Sequence, residues 1–253
     1  MSWLDALILF ASGIAAGTIN TVVGSGSLLT FPVLVALGYH PILANVTNNM
    51  GILPGAISGV FAYRRELAGH LRAIVPLAAA SALGGFTGAL LLFTLPASAF
   101  DAIVPVLIFA ACVLVLAGPR LRRWTIARRD TANPRSSRRV VLLTLTGLTG
   151  VYGGYFGAAQ GVLLLSILSI ALKDGLQRAN AYKNVLASVA SGAAALVFVA
   201  VSEVAWPAAG VIAIGAIVGG QIGGTVGRRL PPAVFRVVIV LIGVVAIVYF
   251  TMK

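Results

Sequence analysis

Ala44-Asn45-Val46-Thr47-Asn48-Asn49 sits at the start of an apolar stretch, and 135 positions later the chain reads Ala179-Asn180-Ala181-Tyr182-Lys183-Asn184. The same offset pairs Gly26 with Gly161, Leu28-Leu29 with Leu163-Leu164, and Ala36-Leu37 with Ala171-Leu172. It also pairs Gly84-Gly85 and Gly88 with Gly219-Gly220 and Gly223, then Leu95-Pro96 and Phe100 with Leu230-Pro231 and Phe235. A repeat that carries asparagines, glycines and a proline through apolar sequence predicts two like halves packed around a central site.

Composition places those halves in lipid. The chain of 253 residues is 59% hydrophobic and only 9% charged, with a mean hydropathy of +1.03. A soluble domain carries roughly a quarter charged residues. The net charge of +12 is concentrated, because eight of the fifteen arginines fall between Arg120 and Arg139. Basic residues elsewhere flank apolar segments, which is a topogenic pattern and not a nucleic-acid surface. The 120–139 stretch has one aromatic, Trp124, and no nucleic-acid-binding module. Trp3, Trp124 and Trp206 suit the membrane interfaces. Cys112 is the only cysteine, so no intramolecular disulfide forms, and it reads as a packing residue. Met1-Ser2-Trp3-Leu4-Asp5 lacks a basic n-region, so the first segment is expected to stay in the mature protein.

Segments long enough to span about 30 Å are expected over 43–62, 73–94 and 101–118, then over 180–200, 207–227 and 234–251. Each trio follows a pair of pieces divided at glycines: 3–22 with 27–37, and 139–155 with 161–172. The second piece of each pair is too short to cross upright, so each pair is expected as a hairpin, crossing or re-entrant, in preference to one broken span. Lys and Arg put 63–72, 120–139, 173–179 and 228–236 on the cytoplasmic side, and their scarcity puts 38–42, 95–100 and 201–206 outside. Every equivalent connection then changes side between halves. The expected fold is an all-α polytopic integral membrane protein of two inverted-topology repeats, each a glycine-broken short-helix pair plus three transmembrane helices. The first repeat covers 1–119, a basic cytoplasmic linker 120–138, and the second repeat 139–253.

Chemistry is expected where the broken helices meet. Gly24, Ser25, Gly26 and Ser27 form the first break, and Gly157, Gln160 and Gly161 belong to the second, where Ala158-Ala159 interrupts the glycines. Glycines expose backbone amides, and helix N-termini favour anions. Asn45 with Asn49, and Asn180 with Asn184, share a helix face at i and i+4; Asn45 and Asn180 also suit helix caps. Lys183 is either an anion-attracting charge on the inner side of the site or a snorkelling interfacial lysine. The six acidic residues, Asp5, Glu66, Asp101, Asp130, Asp174 and Glu203, fall at segment ends or in loops, as do His40 and His70. A buried proton relay, a cation site and an intramembrane enzyme centre all lack members. Gly84 with Gly88, and Gly219 with Gly223, read as packing faces, and Pro54, Pro76 and Pro105 as kinks.

The glycine break before Leu28-Leu29, the Ala44-Asn45-x3-Asn49 helix running to Tyr63-Arg64-Arg65, and their repetition resemble the TauE/SafE sulfite-exporter family, also called the TSUP permeases. The resemblance covers the chain outside the 120–139 stretch. It implies an inner-membrane permease for a small anion such as sulfite, thiosulfate or an organosulfonate, with no cofactor and no metal. Partners are then the anionic substrate and the lipid bilayer, and a homo-oligomer is compatible. A passive anion channel of the same architecture, or a membrane subunit docking a cytoplasmic partner through its arginine-rich loop, are the alternatives.

Overall fold

The computed structural model describes residues 1–127, 135–171, 175–226, 229 and 232–251. All regular structure among them is helical: α1 (Trp3–Val22), α2 (Ser27–Ala36), α3 (Pro41–Ala62), α4 (Arg64–Leu67), α5 (Leu71–Thr94), α6 (Ala97–Ala127), α7 (Arg135–Tyr155), α8 (Gln160–Ala171), α9 (Leu176–Val201), α10 (Trp206–Thr225) and α11 (Pro232–Thr251). Local chemistry marks the boundaries. Ser2 and Asp5 form a capping box at the start of α1, and Pro41 occupies the first position of α3, where a missing N–H costs nothing. Glycines with positive φ, Gly38, Gly69 and Gly175, turn the chain between helices.

The packing is that of a protein dissolved in lipid. Large apolar side chains such as Leu83, Phe109, Leu196, Ile214 and Leu241 lie on the outside, while glycines fill the helix interfaces. Lipid tails are as apolar as leucine, so close backbone approach takes over the role of the hydrophobic effect. A Cβ on Gly88 would lie 2.0 Å from the Val151 carbonyl oxygen, and one on Gly219 2.1 Å from that of Ile14. Among the described residues, five helices are long and apolar enough to cross a membrane. The 22-residue α3 is not among them, because its three asparagines lower its apolarity.

Helix pairing follows the repeat. α1 packs on α10 as α7 packs on α5, α3 on α10 as α9 on α5, and α8 on α6 as α2 on α11. The register is the same as well: Gly85 meets Ala190, and Gly220 meets Gly55 at the corresponding positions. Only the first helices depart from the 135-residue offset. Gly84 meets Gly147 and Val151, whereas its counterpart Gly219 meets Ile14 and Thr18. α7 therefore aligns with α1 at an offset of 133, so the second break is two residues longer than the first. The 135-residue offset thus holds from Gly26 onward.

The polar stretch expected as a linker over 120–138 is helical at both ends, since α6 continues to Ala127 and α7 begins at Arg135. Arginine, alanine and leucine are good helix formers whether or not lipid surrounds them. Pro54, Pro76 and Pro105 lie inside α3, α5 and α6. The expectations resting on Asp130, Lys173, Asp174, Arg228, Leu172 and Leu230-Pro231 lie outside the described residues.

Candidate functional site

Each broken pair ends its first helix in the same way. Val23 and Gly24 both donate backbone N–H bonds to the Ile19 carbonyl, and Phe156 and Gly157 both donate to that of Tyr152. Gly24 (φ +88) and Gly157 (φ +76) take the left-handed conformation that stops a helix in this motif. After Gly24 the chain turns back along α1, where Gly26 packs against Ala16 and Asn20. The two extra residues of the second break include Ala159, which itself sits at φ +61. α2 and α8 thus both begin inside the protein. Their starts touch: the Gly161 N–H donates to the Gly24 carbonyl at 2.9 Å. A Cβ on either glycine would lie 2.4 Å from the Cα of the other.

The asparagine helix of each half closes the break of the other half. The last carbonyls of a helix have no intrahelical donor. At the end of α1, Lys183 Nζ of α9 donates to the Asn20 and Thr21 carbonyls, each at 3.0 Å, and Asn184 Nδ2 lies 3.5 Å from that of Thr21. At the end of α7, Asn45 Nδ2 of α3 donates to the Tyr155 carbonyl at 2.9 Å. Lys183 is completely buried, so the snorkelling alternative is wrong. Its amine lies against the negative end of the α1 dipole, where a positive charge is favourable.

A cavity of about 30 Å³ lies where the breaks and asparagine helices converge. That is room for two or three waters at roughly 10–15 Å³ each. Of the expected site residues it brings together Gly24, Ser27, Asn49, Gly157, Gln160 and Gly161. Ser25, Gly26, Asn45, Asn180, Lys183 and Asn184 are absent from its lining. Gly26 serves packing, and Asn45, Lys183 and Asn184 turn to the helix ends. Asn20, Asn48 and Ser191 line the cavity and were not among the candidates. Asn48 lacked a matched polar amide because Lys183 occupies its equivalent position, yet it lay between two asparagines that were singled out. Its carboxamide accepts a hydrogen bond from Thr30.

The cavity's electrostatics are those of a donor-rich, uncharged pocket. α2 presents its N-terminal end there with no side-chain cap. Gln160 Nε2 and Asn49 Oδ1 are buried without a hydrogen-bond partner, which in a low-dielectric interior costs free energy until a ligand or water satisfies them. Gly153 makes room for Gln160, since a Cβ there would lie 2.3 Å from its carboxamide. Among the described residues no carboxylate, histidine or cysteine lines the cavity, and no cluster of three metal-ligating side chains occurs.

A family profile described as "Sulfite exporter TauE/SafE" matches residues 9–250. The chain belongs to the sulfite exporter TauE/SafE family. The "Probable membrane transporter protein" of Haemophilus influenzae is 28% identical to this TauE/SafE chain over 216 residues, 85% of this chain and 82% of the relative. The "Probable membrane transporter protein ORF9" of Sinorhizobium sp. is 27% identical, covering 93% and 88%. The "Probable membrane transporter protein YfcA" of Escherichia coli K12 is 27% identical, covering 94% and 86%. With five helices among the described residues long and apolar enough to cross a membrane, this TauE/SafE member is a multi-pass membrane protein of a transporter family.

Proposed function

We propose that the chain is a secondary transporter carrying a small anion, of the sulfite, thiosulfate or organosulfonate class, across the inner membrane by alternating access. The observation that carries this reading is the central cavity, where two broken helices from opposite halves present amides and glycines and no acidic group. The anion would accept hydrogen bonds from Gln160 Nε2, Ser27 and the backbone at the starts of α2 and α8, and from Asn49 once its carboxamide turns to present the NH₂.

An inverted arrangement of the two halves would suit this mechanism. Contact registers make α1, α3 and α10 run parallel, and α5, α7 and α9 run parallel. If the short connection over 202–205 reverses the chain between α9 and α10, equivalent helices of the two halves would point opposite ways. With the arginine-rich 120–139 stretch in the cytoplasm, rocking one half against the other exposes the cavity to either side in turn. The test is flux of labelled sulfite, thiosulfate and sulfoacetate into proteoliposomes. Asn49→Ala combined with Gln160→Ala is expected to abolish saturable uptake while leaving the protein monodisperse. Flux unchanged by the pair would sink the site, and flux without saturation or counterflow would make the protein a channel.

A further inference from the structure

A second cavity, of about 360 Å³, lies beside the central one. Val22 and Val23 of its lining immediately precede Gly24, and Val162 immediately follows Gly161. The contact of Gly24 with Gly161 therefore stands between the two spaces. The remaining walls come from Tyr63, α6, α8, the start of α9 and Arg236 of α11. Several of these belong to segments that carry the chain's arginines, so the cavity opens toward the basic side.

Repeat equivalence shows how one-sided this opening is. Val22, Val23, Ser166 and Tyr63 line it. Their counterparts in the other half are Tyr155, Phe156, Phe31 and Phe198, and those are packed shut. Phe31 meets Phe156 edge-on at 5.2 Å, Phe100 meets Tyr155 at 5.8 Å and Phe156 at 6.4 Å, and Phe93 meets Phe198 at 5.9 Å. Aromatic rings close the far side, whereas Val22, Val23 and Ser166 stand in place of three of those rings on the near side and leave it open.

The open cavity also has a definite electrostatic character. Among the described residues, Arg123 and Arg236 line it and no carboxylate does. The N-terminal end of α9 contributes Gln177 and Asn180, and its cap position, Gly175, supplies no side-chain hydrogen bond. A 26-residue helix with an uncapped start favours negative charge there. Asn180 is only 5% exposed, and its Oδ1 has no hydrogen-bond partner. A half-turn of the carboxamide would present its NH₂ instead. Between these polar groups the walls are valines, leucines and a proline.

We propose that this cavity is a second anion-binding site: a cytoplasm-facing vestibule in which Arg123, Arg236 and the start of α9 hold an oxyanion headgroup while the apolar walls take a short organic body. Its ligand class is a small organosulfonate or carboxylate. Its use as the loading station for the central site rests on the transport reading above, but anion binding within it does not.

The test is therefore independent of flux. In a Cys112→Ala background, Ser166→Cys places one thiol in the vestibule wall, and Val115→Cys repeats the measurement from another wall. Proteoliposomes of phosphatidylcholine are treated from the basic face with an anionic sulfonatoethyl and a cationic trimethylammonioethyl methanethiosulfonate. The anionic reagent is expected to react faster. Arg123→Gln with Arg236→Gln should lower the anionic-to-cationic rate ratio about tenfold, the corresponding lysine pair should keep it, and added salt should shrink it. Sulfoacetate should slow modification. A ratio indifferent to the arginines, or no protection by sulfoacetate, overturns the proposal. Protection seen only when phosphatidylglycerol is added would make the occupant a lipid headgroup and would equally overturn it. If the ratio falls as expected while the wild type moves no sulfoacetate, the vestibule stands and the carrier reading fails.

Discussion

Gly24→Ala tests the geometry on which the whole site depends. Gly24 has φ +88, and an added Cβ would sit 2.4 Å from Gly161 Cα. The left-handed conformation costs an alanine roughly 1–2 kcal/mol. Reaching ordinary contact requires the two breaks to separate by about 1 Å, enough to rupture the 2.9 Å bond from Gly161 N–H to the Gly24 carbonyl. Leaving those buried groups unpaired adds roughly 1–3 kcal/mol. The total is about 2–5 kcal/mol, a fall in the thermal midpoint on the order of 10 °C. The assay is thermal unfolding in detergent, followed by the retained monodisperse fraction. Gly38→Ala is the internal control, because Gly38 has φ +92 with nothing within 4 Å of an added Cβ. It carries the conformational cost alone. Gly161→Ala carries the clash without a positive φ. If Gly24→Ala melts no lower than Gly38→Ala, the close approach of the two breaks does not exist as described.

Other expectations follow from the same interfaces. Ala159→Gly relieves a left-handed alanine and should raise the midpoint by up to about 1 kcal/mol in stability; a lower midpoint contradicts the reading of the longer second break. Lys183→Gln can still donate to the Asn20 and Thr21 carbonyls, whereas Lys183→Met cannot. The glutamine variant should be the more stable by about 1–2 kcal/mol and keep transport, and equal loss of flux in both would show that the charge matters. Gly88→Ala, with its Cβ 2.0 Å from the Val151 oxygen, should separate α5 from α7 and cost roughly 3 kcal/mol or more. Gly210→Ala, which meets nothing within 4 Å, should instead gain about 0.5–1 kcal/mol from helix propensity, and both are read by the same melting assay.

Local signals located the elements well. The span over 3–22 coincides with α1 because the capping box at Ser2 and the helix-stopping Gly24 are adjacent in sequence to what they control. The short helices over 27–37 and 161–172 are within a residue of α2 and α8 for the same reason. α6 runs nine residues past its expected end of 118, because apolarity reports lipid and not helix. Half of the expected site residues line the central cavity. The rest share its segments but face other partners, and helical periodicity by itself does not say which neighbour a face will meet.

Composition, the repeat and the placement of arginine determined by themselves that this chain lies in a membrane as two like halves, each broken at glycines. Those properties depend on residue type and on spacing along the chain. Tertiary structure alone decided that Lys183 closes α1 while Asn45 closes α7, contacts spanning 162 or 163 residues in one case and 110 in the other. It also decided that Gly24 answers Gly157 across a two-residue insertion, and that one side is open where the other is packed with aromatic rings. Two halves of similar sequence occupy different environments once packed, and a carboxamide, an ammonium or a phenyl ring takes its role from what the opposite half presents.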